Sequence, residues 1–244
     1  VEPGAQALAQ LVLDQPVGSL RDDRFILRDQ SAQYTLAGGV VLDPFAPARK
    51  VRAPARLTLL RALEHKPARA ALEALLDNSV AGVDLDWFAR SGNLRREAAE
   101  SLYAELPMVV VSIAGGHRHG FTPACWTALQ QAVLDVLAET HKREPELLGL
   151  EARRLRRLAT PDLAWELYTA LIEQLLGEQH LRRHGPWLHL ASHRIALTPA
   201  EEKLWHAVAP LLRATPFQPP WVRDMATLLK VPETQMRNLL KRVT

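Results

Sequence analysis

The sequence contains one cysteine, Cys125, and no long run of apolar residues. A single thiol excludes disulfides within the chain and any zinc site built on several cysteines. The longest largely apolar stretch, residues 106–114, is far shorter than the ~20 residues that a membrane helix needs. No positively charged segment followed by an apolar one opens the chain, so no secretory signal is predicted. These absences predict a cytoplasmic protein that does not bind the membrane.

Neither sign of charge dominates, since the net charge is +3, although a pI near 9.2 leaves room for local basic faces. Hydrophobic residues make up 48% of the chain and charged residues 23%, which is typical of a globular protein. A length of 244 residues exceeds the roughly 100–150 of a common domain, so two or more modules are expected. Because the chain begins with Val1 and residues 241–244 continue a helical pattern, we expect a part of a longer protein.

Residues 1–48 are predicted to form β-structure, followed by a linker over residues 49–54 that continues a proline-containing stretch. Apolar residues alternate over residues 7–13 and again at Phe25 and Leu27, and a third apolar run covers residues 35–42. Three strands are therefore expected. Three strands alone leave two unpaired edges, so we expect part of a larger β-barrel whose other strands precede Val1.

From about residue 55 the pattern becomes helical. Thr122-Pro123 and Thr198-Pro199 each combine an N-cap threonine with a proline at the first helical position, and Glu201 completes a capping box in the second. Together with the helical patterns and hairpins described below, these start signals predict winged-helix units at residues 55–121, 122–197 and 198–244, of which the first two end in a β-hairpin. The third unit is predicted to be truncated before its wing. The fold class is thus mainly α with β: a partial β-barrel followed by tandem winged helices.

Within the second unit, helices are predicted at residues 125–141, 150–158 and 163–176, before a hairpin that turns at Gly185-Pro186. The first unit follows a similar order, with helices at residues 55–65, 68–76, 85–91 and 95–105 and a hairpin over residues 108–121. In the third unit a helix after Pro199 precedes a helix-turn-helix formed by residues 221–230 and the helix that contains Met236 and Leu239.

Specific stretches also carry a family resemblance. The run RFILRD at residues 24–29 leads into residues 35–44, which contain Gly38-Gly39; further on lie HGPWLHL at 184–190 and WVRDMA at 221–226. The first two stretches are similar to the last strands of domain III, a β-barrel, in the bacterial selenocysteine-specific elongation factors, the SelB family. The other two resemble the second and third winged helices of that family. The resemblance extends over nearly the whole chain.

The resemblance implies a translation factor that uses GTP and Mg²⁺ in an N-terminal domain, delivers selenocysteinyl-tRNA to the ribosome at UGA codons, and binds an mRNA selenocysteine-insertion hairpin through its C-terminal winged helices. No G-x-x-x-x-G-K-[ST] motif occurs in this chain, so no phosphate-binding loop of that type is predicted. We therefore expect this chain to have no catalytic residue, cofactor or small-molecule substrate of its own. It would form the arm between the tRNA-binding body and the mRNA hairpin, with the fourth winged helix of the family outside it.

Clusters of basic residues are the candidate RNA or ribosome contacts, because cations attract the phosphate backbone. They fall on a predicted helix, at a wing and on a predicted recognition helix: Arg153, Arg154, Arg156, Arg157, Arg182, Arg183, Lys230, Arg237, Lys241 and Arg242. On a helix, Arg153, Arg156 and Arg157 are expected to share a face. The alternative for each cluster is a solvated surface paired with nearby acids. A further basic group around the linker is subject to the same alternative: Arg49, Lys50, Arg52, Arg56 and Arg61.

The sequence disfavours two other chemistries. Four histidines near the second hairpin, His180, His184, His189 and His193, suggest zinc, but they lack close pairs and a cysteine partner, so no metal site is predicted. Cys125 is followed by Trp126 at a predicted helix start, where packing is expected rather than catalysis.

The main alternative function is a tandem winged-helix transcriptional regulator, which would insert its recognition helices into the major groove of DNA.

Overall fold

The computed structural model describes residues 2, 4–47, 53–193, 199–214 and 218–243, without the side chains of residues 241 and 242. The described part of the chain is mainly helical and contains three small antiparallel sheets. It divides into two compact units, residues 1–129 with 162–170 and residues 130–161 with 171–244. Among the described residues, no helix has the length and apolar character needed to cross a bilayer.

The N-terminal region forms a β-hairpin of β1 (Arg24–Arg28) and β2 (Thr35–Val40), paired from Arg24 opposite Val40 to Leu27 opposite Ala37. Asp29 fixes the connection, because its carboxylate accepts a hydrogen bond from the Tyr34 N–H at 2.7 Å. The second and third strands predicted from the sequence are thus confirmed.

The first predicted strand, over residues 7–13, was wrong. These residues have no regular secondary structure, and their larger side chains are exposed, with Val12 at 89%. Alternating apolar residues specify which faces a strand would present, but a strand also needs a hydrogen-bonding neighbour. No described strand pairs with this segment.

Contacts that include Arg21 and the Asp43–Arg56 pair attach the hairpin region to the first winged helix. The Arg21 N–H donates to the Ser91 carbonyl at 2.8 Å, and the Arg21 guanidinium lies over the buried ring of Phe88, 5.5 Å from its centroid. Arg56 Nη1 pairs with Asp43 Oδ2 at 2.6 Å, with side chains only 12% and 2% exposed.

The first winged helix contains α1 (Pro54–Leu63), α2 (Ala68–Asn78), β3 (Val83–Asp84), α3 (Leu85–Ser91), α4 (Arg96–Glu105), β4 (Val109–Ser112) and β5 (Arg118–Phe121). Asp84 starts α3, since its side chain accepts a hydrogen bond from the Trp87 N–H at 2.8 Å. The Tyr103 hydroxyl donates to the Leu85 carbonyl at 2.7 Å, and burial raises the pKa of Tyr103 to about 12. The sheet order is β3-β5-β4 around a core of apolar residues from α1 to α4.

The second winged helix repeats this order from the short strand onward, with one helix before that strand instead of two. It contains α5 (Pro123–Arg143), β6 (Leu150–Glu151), α6 (Ala152–Ala159), α7 (Trp165–Gly177), β7 (Leu181–His184) and β8 (Trp187–Leu190). Its sheet order is β6-β8-β7, which is the same arrangement of first, third and second strand. Thr122 caps α5 as predicted, because its hydroxyl accepts a hydrogen bond from the Cys125 N–H at 3.1 Å.

The third winged-helix unit contains α8 (Pro199–Ala214), α9 (Val222–Leu228) and α10 (Glu233–Val243). Its core is formed by residues from all three helices: Leu204, Val208, Met225, Ala226, Met236 and Leu239. The predicted cap Thr198 and most of the predicted linker, residues 49–52, lie outside the described residues.

A glycine precedes the short first strand of each complete winged helix. A Cβ on Gly82 would overlap the Phe121 ring of β5, and a Cβ on Gly149 would overlap the Leu188 carbonyl of β8. Gly82 also has a φ of +79°, which favours glycine. The short strands β3 and β6 can therefore approach β5 and β8, respectively, closely enough to pair.

We predict that the Asp43–Arg56 pair contributes to the stability of the first compact unit. Asp43→Asn or Arg56→Met leaves the other charge poorly solvated, and each should lower the free energy of unfolding by about 3 kcal/mol. The double variant should lose less than the sum. Urea unfolding followed by tryptophan fluorescence measures this, with the exposed pair Arg69–Glu73 as a control worth less than about 1 kcal/mol. Strictly additive effects at Asp43 and Arg56 would contradict the prediction.

Candidate nucleic-acid interface

The densest group of exposed cations lies on α6. The buried stripe of this helix consists of residues 152, 155, 156 and 159, of which Leu155 is fully buried. Arg153, Arg154 and Arg157 are exposed on the remaining surface. Among the residues that the structure describes, no carboxylate lies within 4.0 Å of any of the three. We call Arg153, Arg154 and Arg157 the α6 arginines.

Arg156 does not share this surface, in contrast to the face expected from its spacing. It is half-buried on the apolar stripe, and its Nη1 donates to the Pro161 carbonyl at 3.2 Å. Its guanidinium thereby satisfies a backbone acceptor just beyond the end of α6. The nearby acid Glu144 instead pairs with Arg143 of α5, whose Nη2 lies 3.1 Å from its carboxylate.

The two arginines of the wing lie on opposite faces of its hairpin. Arg183 is directly opposite Leu188, and its Nη2 pairs with Glu173 of α7 at 2.7 Å. Arg182 is opposite His189 and is exposed, without a carboxylate partner among the described residues. Of these two arginines, only Arg182 thus presents an uncompensated charge.

The candidate cations of the third winged-helix unit also differ in whether a carboxylate neutralises them. Lys230 is exposed in the turn between α9 and α10, where its φ is +54°. Arg237 is paired within its own helix, with Nη2 2.6 Å from Glu233 Oε1. The side chains of Lys241 and Arg242 lie outside the described residues, although their backbone belongs to α10.

The linker group contributes little to a described surface. Arg56 is engaged by Asp43, whereas Arg61 is exposed on α1. Arg49, Lys50 and Arg52 lie outside the described residues.

The second helix of a helix-turn-helix, its recognition helix, normally enters the major groove of DNA. In the first winged helix this is α4, whose charged residues are Arg96, Glu97, Glu100 and Glu105. In the second it is α7, whose only charged residues are Glu166 and Glu173. Both helices therefore carry a net negative charge, which opposes insertion between two phosphate backbones. The second unit has its cations on the preceding helix, α6, instead.

Three histidines, His141, His189 and His193, come close together in the second winged helix, and only the last two belong to the four considered as zinc ligands. The rings of His141 and His193 stack with centroids 3.6 Å apart, and His193 Nε2 lies 3.1 Å from the Leu147 carbonyl oxygen. Burial lowers the pKa of His141 to about 4, and nearby His193 and His189 add to this effect. His141 was missed because nothing in the sequence links it to the hairpin. Among the described residues, no group of three or more His, Cys, Asp or Glu side chains is arranged to hold a metal ion.

Cys125 is half-buried in the first turn of α5. Its Sγ lies 3.8 Å from the carbonyl oxygens of Ser79 and Val80, and burial raises the pKa of the thiol. Its neighbour Trp126 packs on Phe121, with ring centroids 4.9 Å apart. This environment suits packing and disfavours the thiolate that a nucleophile needs.

The order of helices and strands in two successive sheets defines the chain as a winged-helix protein with an N-terminal β-segment. Comparison with known sequences assigns the family. Residues 1–48 match the beta-barrel domain of the selenocysteine-specific elongation factor, residues 134–190 the winged helix of elongation factor SelB, and residues 197–244 a winged-helix domain of the selenocysteine-specific elongation factor.

Two curated relatives agree with these matches. The chain is 32% identical over 237 residues to the selenocysteine-specific elongation factor of Escherichia coli K12, and 29% identical over 238 residues to that of Haemophilus influenzae Rd. Each alignment covers 96% of this chain and 37% of the relative. The chain belongs to the SelB family, and it matches the barrel and winged-helix part.

We predict that His141 makes folding sensitive to acid. Its pKa is lower in the folded protein than the usual value near 6.5, so its contribution to stability is complete above pH 6.5 and is lost as the pH falls towards 4. His141→Phe keeps an aromatic ring without a titratable nitrogen, and should remove about 2–3 kcal/mol of pH dependence over this range.

Urea unfolding at pH 7, 6, 5 and 4.5 measures the effect. The control His206→Phe removes an exposed histidine from α8 and should retain the pH dependence of the unchanged protein. If His141→Phe retains it as well, the prediction is contradicted.

Proposed function

We propose that this chain is the winged-helix arm of a selenocysteine-specific elongation factor, which delivers selenocysteinyl-tRNA to the ribosome at UGA codons. The arm would connect the GTP- and tRNA-binding body to the selenocysteine-insertion hairpin in mRNA. The whole factor would work in the cytoplasm and bind GTP and Mg²⁺ outside this chain. Similarity to two selenocysteine-specific elongation factors over 96% of the chain is the observation that carries this proposal.

The surface charges support contact with an RNA backbone within this arm. The α6 arginines combine exposure with freedom from described carboxylates, and arginine binds phosphate well because its guanidinium can donate two parallel hydrogen bonds. Arg182 at the wing and Lys230 in the third unit are further exposed candidates without such a partner among the described residues. Arg183 and Arg237 are held by glutamates, so we assign them weaker roles.

The DNA-binding alternative is less well supported. A transcriptional regulator of this fold would read the major groove with α4 and α7, and both carry more acidic than basic residues. Only α10, whose basic residues include two with undescribed side chains, has the charge expected of such a helix.

A binding titration at several salt concentrations tests the proposal. The chain should bind a selenocysteine-insertion RNA hairpin more tightly than duplex DNA of equal length. Replacing the α6 arginines together by glutamine should reduce the slope of log K against log salt by about 2–3, because each lost phosphate contact removes roughly 0.7–0.9.

The matched control replaces three exposed arginines that already lie beside acids and are not candidate contacts: Arg69, Arg143 and Arg223. It removes the same net charge and should change the slope much less. Equal slopes for the two triple variants would show that net charge alone governs binding, and a preference for duplex DNA would favour the transcriptional regulator.

A further inference from the structure

The hairpin β7–β8 separates its side chains between two faces. Leu181 and Leu188 are buried, and Arg183, opposite Leu188, pairs with Glu173 of α7. One face of the hairpin therefore belongs to the core of the winged helix. Because directly opposite residues of an antiparallel pair point the same way, the intervening residues share the other face.

This outer face carries two cross-strand pairs, Arg182 with His189 and His184 with Trp187. Arg182 and His184 are exposed, whereas His189 and Trp187 are half-buried. Glu151 of β6 pairs with Trp187 and adds one carboxylate at the edge. None of the four side chains is aliphatic, so the face lacks the aliphatic surface that helix or strand docking in a protein partner would bury.

The same four side chains suit a nucleotide. Planar tryptophan and imidazole rings stack on bases, and the guanidinium of Arg182 can bind a phosphate. Bases within a duplex are already stacked on one another, so only unpaired bases offer a free ring face. The α6 arginines follow β6 directly in the chain and add positive charge to this winged helix.

We propose that the outer face of β7–β8 binds unpaired nucleotides of RNA, with Trp187 stacking on a base and Arg182 holding a neighbouring phosphate. This inference rests on the proposed function, since it takes RNA as the ligand. It adds recognition of unpaired bases to the sequence-independent phosphate contacts of α6.

Anisotropy titrations with two labelled RNAs of equal length test the inference: a hairpin with an unpaired loop and a fully paired duplex. Trp187→Leu keeps apolar bulk but removes the aromatic ring, and should weaken binding of the hairpin about 5- to 100-fold while duplex binding stays unchanged. Trp187→Phe should restore most of the affinity. Trp221→Leu, a control at a 79% exposed tryptophan outside this face, should bind both RNAs as the unchanged protein does.

Circular dichroism melts establish that each variant is folded. If Trp187→Leu does not fold, His184→Ala at an exposed position of the same face provides the test, and it too should weaken hairpin binding selectively. Equal hairpin affinity for Trp187→Leu, Trp187→Phe and the unchanged protein overturns the inference. So does an equal loss for hairpin and duplex, or self-association that depends on Trp187, which would make this face a protein contact.

The result also separates this inference from the proposed function. If the outer-face variants have no effect but loss of the α6 arginines weakens both RNAs, the nucleotide-binding face is wrong and the RNA-binding arm stands. If the unchanged chain binds neither RNA, both are wrong.

Discussion

The pairing of a two-residue strand with the last strand of the wing determines the form of both complete winged helices. Val83 and Asp84 pair with β5, and Leu150 and Glu151 pair with β8. The glycine before each short strand permits the close approach, since a Cβ at either position would overlap the third strand. A helix, α3 or α6, begins immediately after each short strand, so the same contact sets where that helix starts relative to the wing. In the second unit, this places the α6 arginines in the element next to the edge of the sheet.

Much of the fold could be predicted from local sequence. Threonine and proline at helix starts, and apolar spacing along α3 and α7, indicated helices within a few residues of their observed bounds. The short strands were missed because two residues show no periodicity, and the predicted helix at 150–158 wrongly absorbed Leu150 and Glu151. The segment over residues 7–13 was misassigned for the opposite reason: it has the pattern of a strand but no described partner.

The candidate interface was harder to predict, because charge in a sequence does not show which cations are neutralised. Arg56, Arg183 and Arg237 all belong to basic clusters, yet each is paired with a carboxylate in the structure. Arg183 meets an acid ten residues away, and Arg56 one thirteen residues away. Contacts across such separations depend on how helices and strands pack. The α6 arginines, by contrast, could be identified from the number of basic residues in a short stretch of sequence. That Arg156 turns inward could not.

The RNA contact that we propose for the second winged helix differs from groove reading by a recognition helix. The α6 arginines and the outer face of β7–β8 carry the favourable charge and aromatic rings, whereas α4 and α7 are acidic. Hydrogen–deuterium exchange of the chain with and without a selenocysteine-insertion RNA hairpin tests this most directly. The account predicts slower exchange in α6 and β7–β8 and unchanged exchange in α4 and α7. Protection of α4 and α7 with no change in α6 would contradict it.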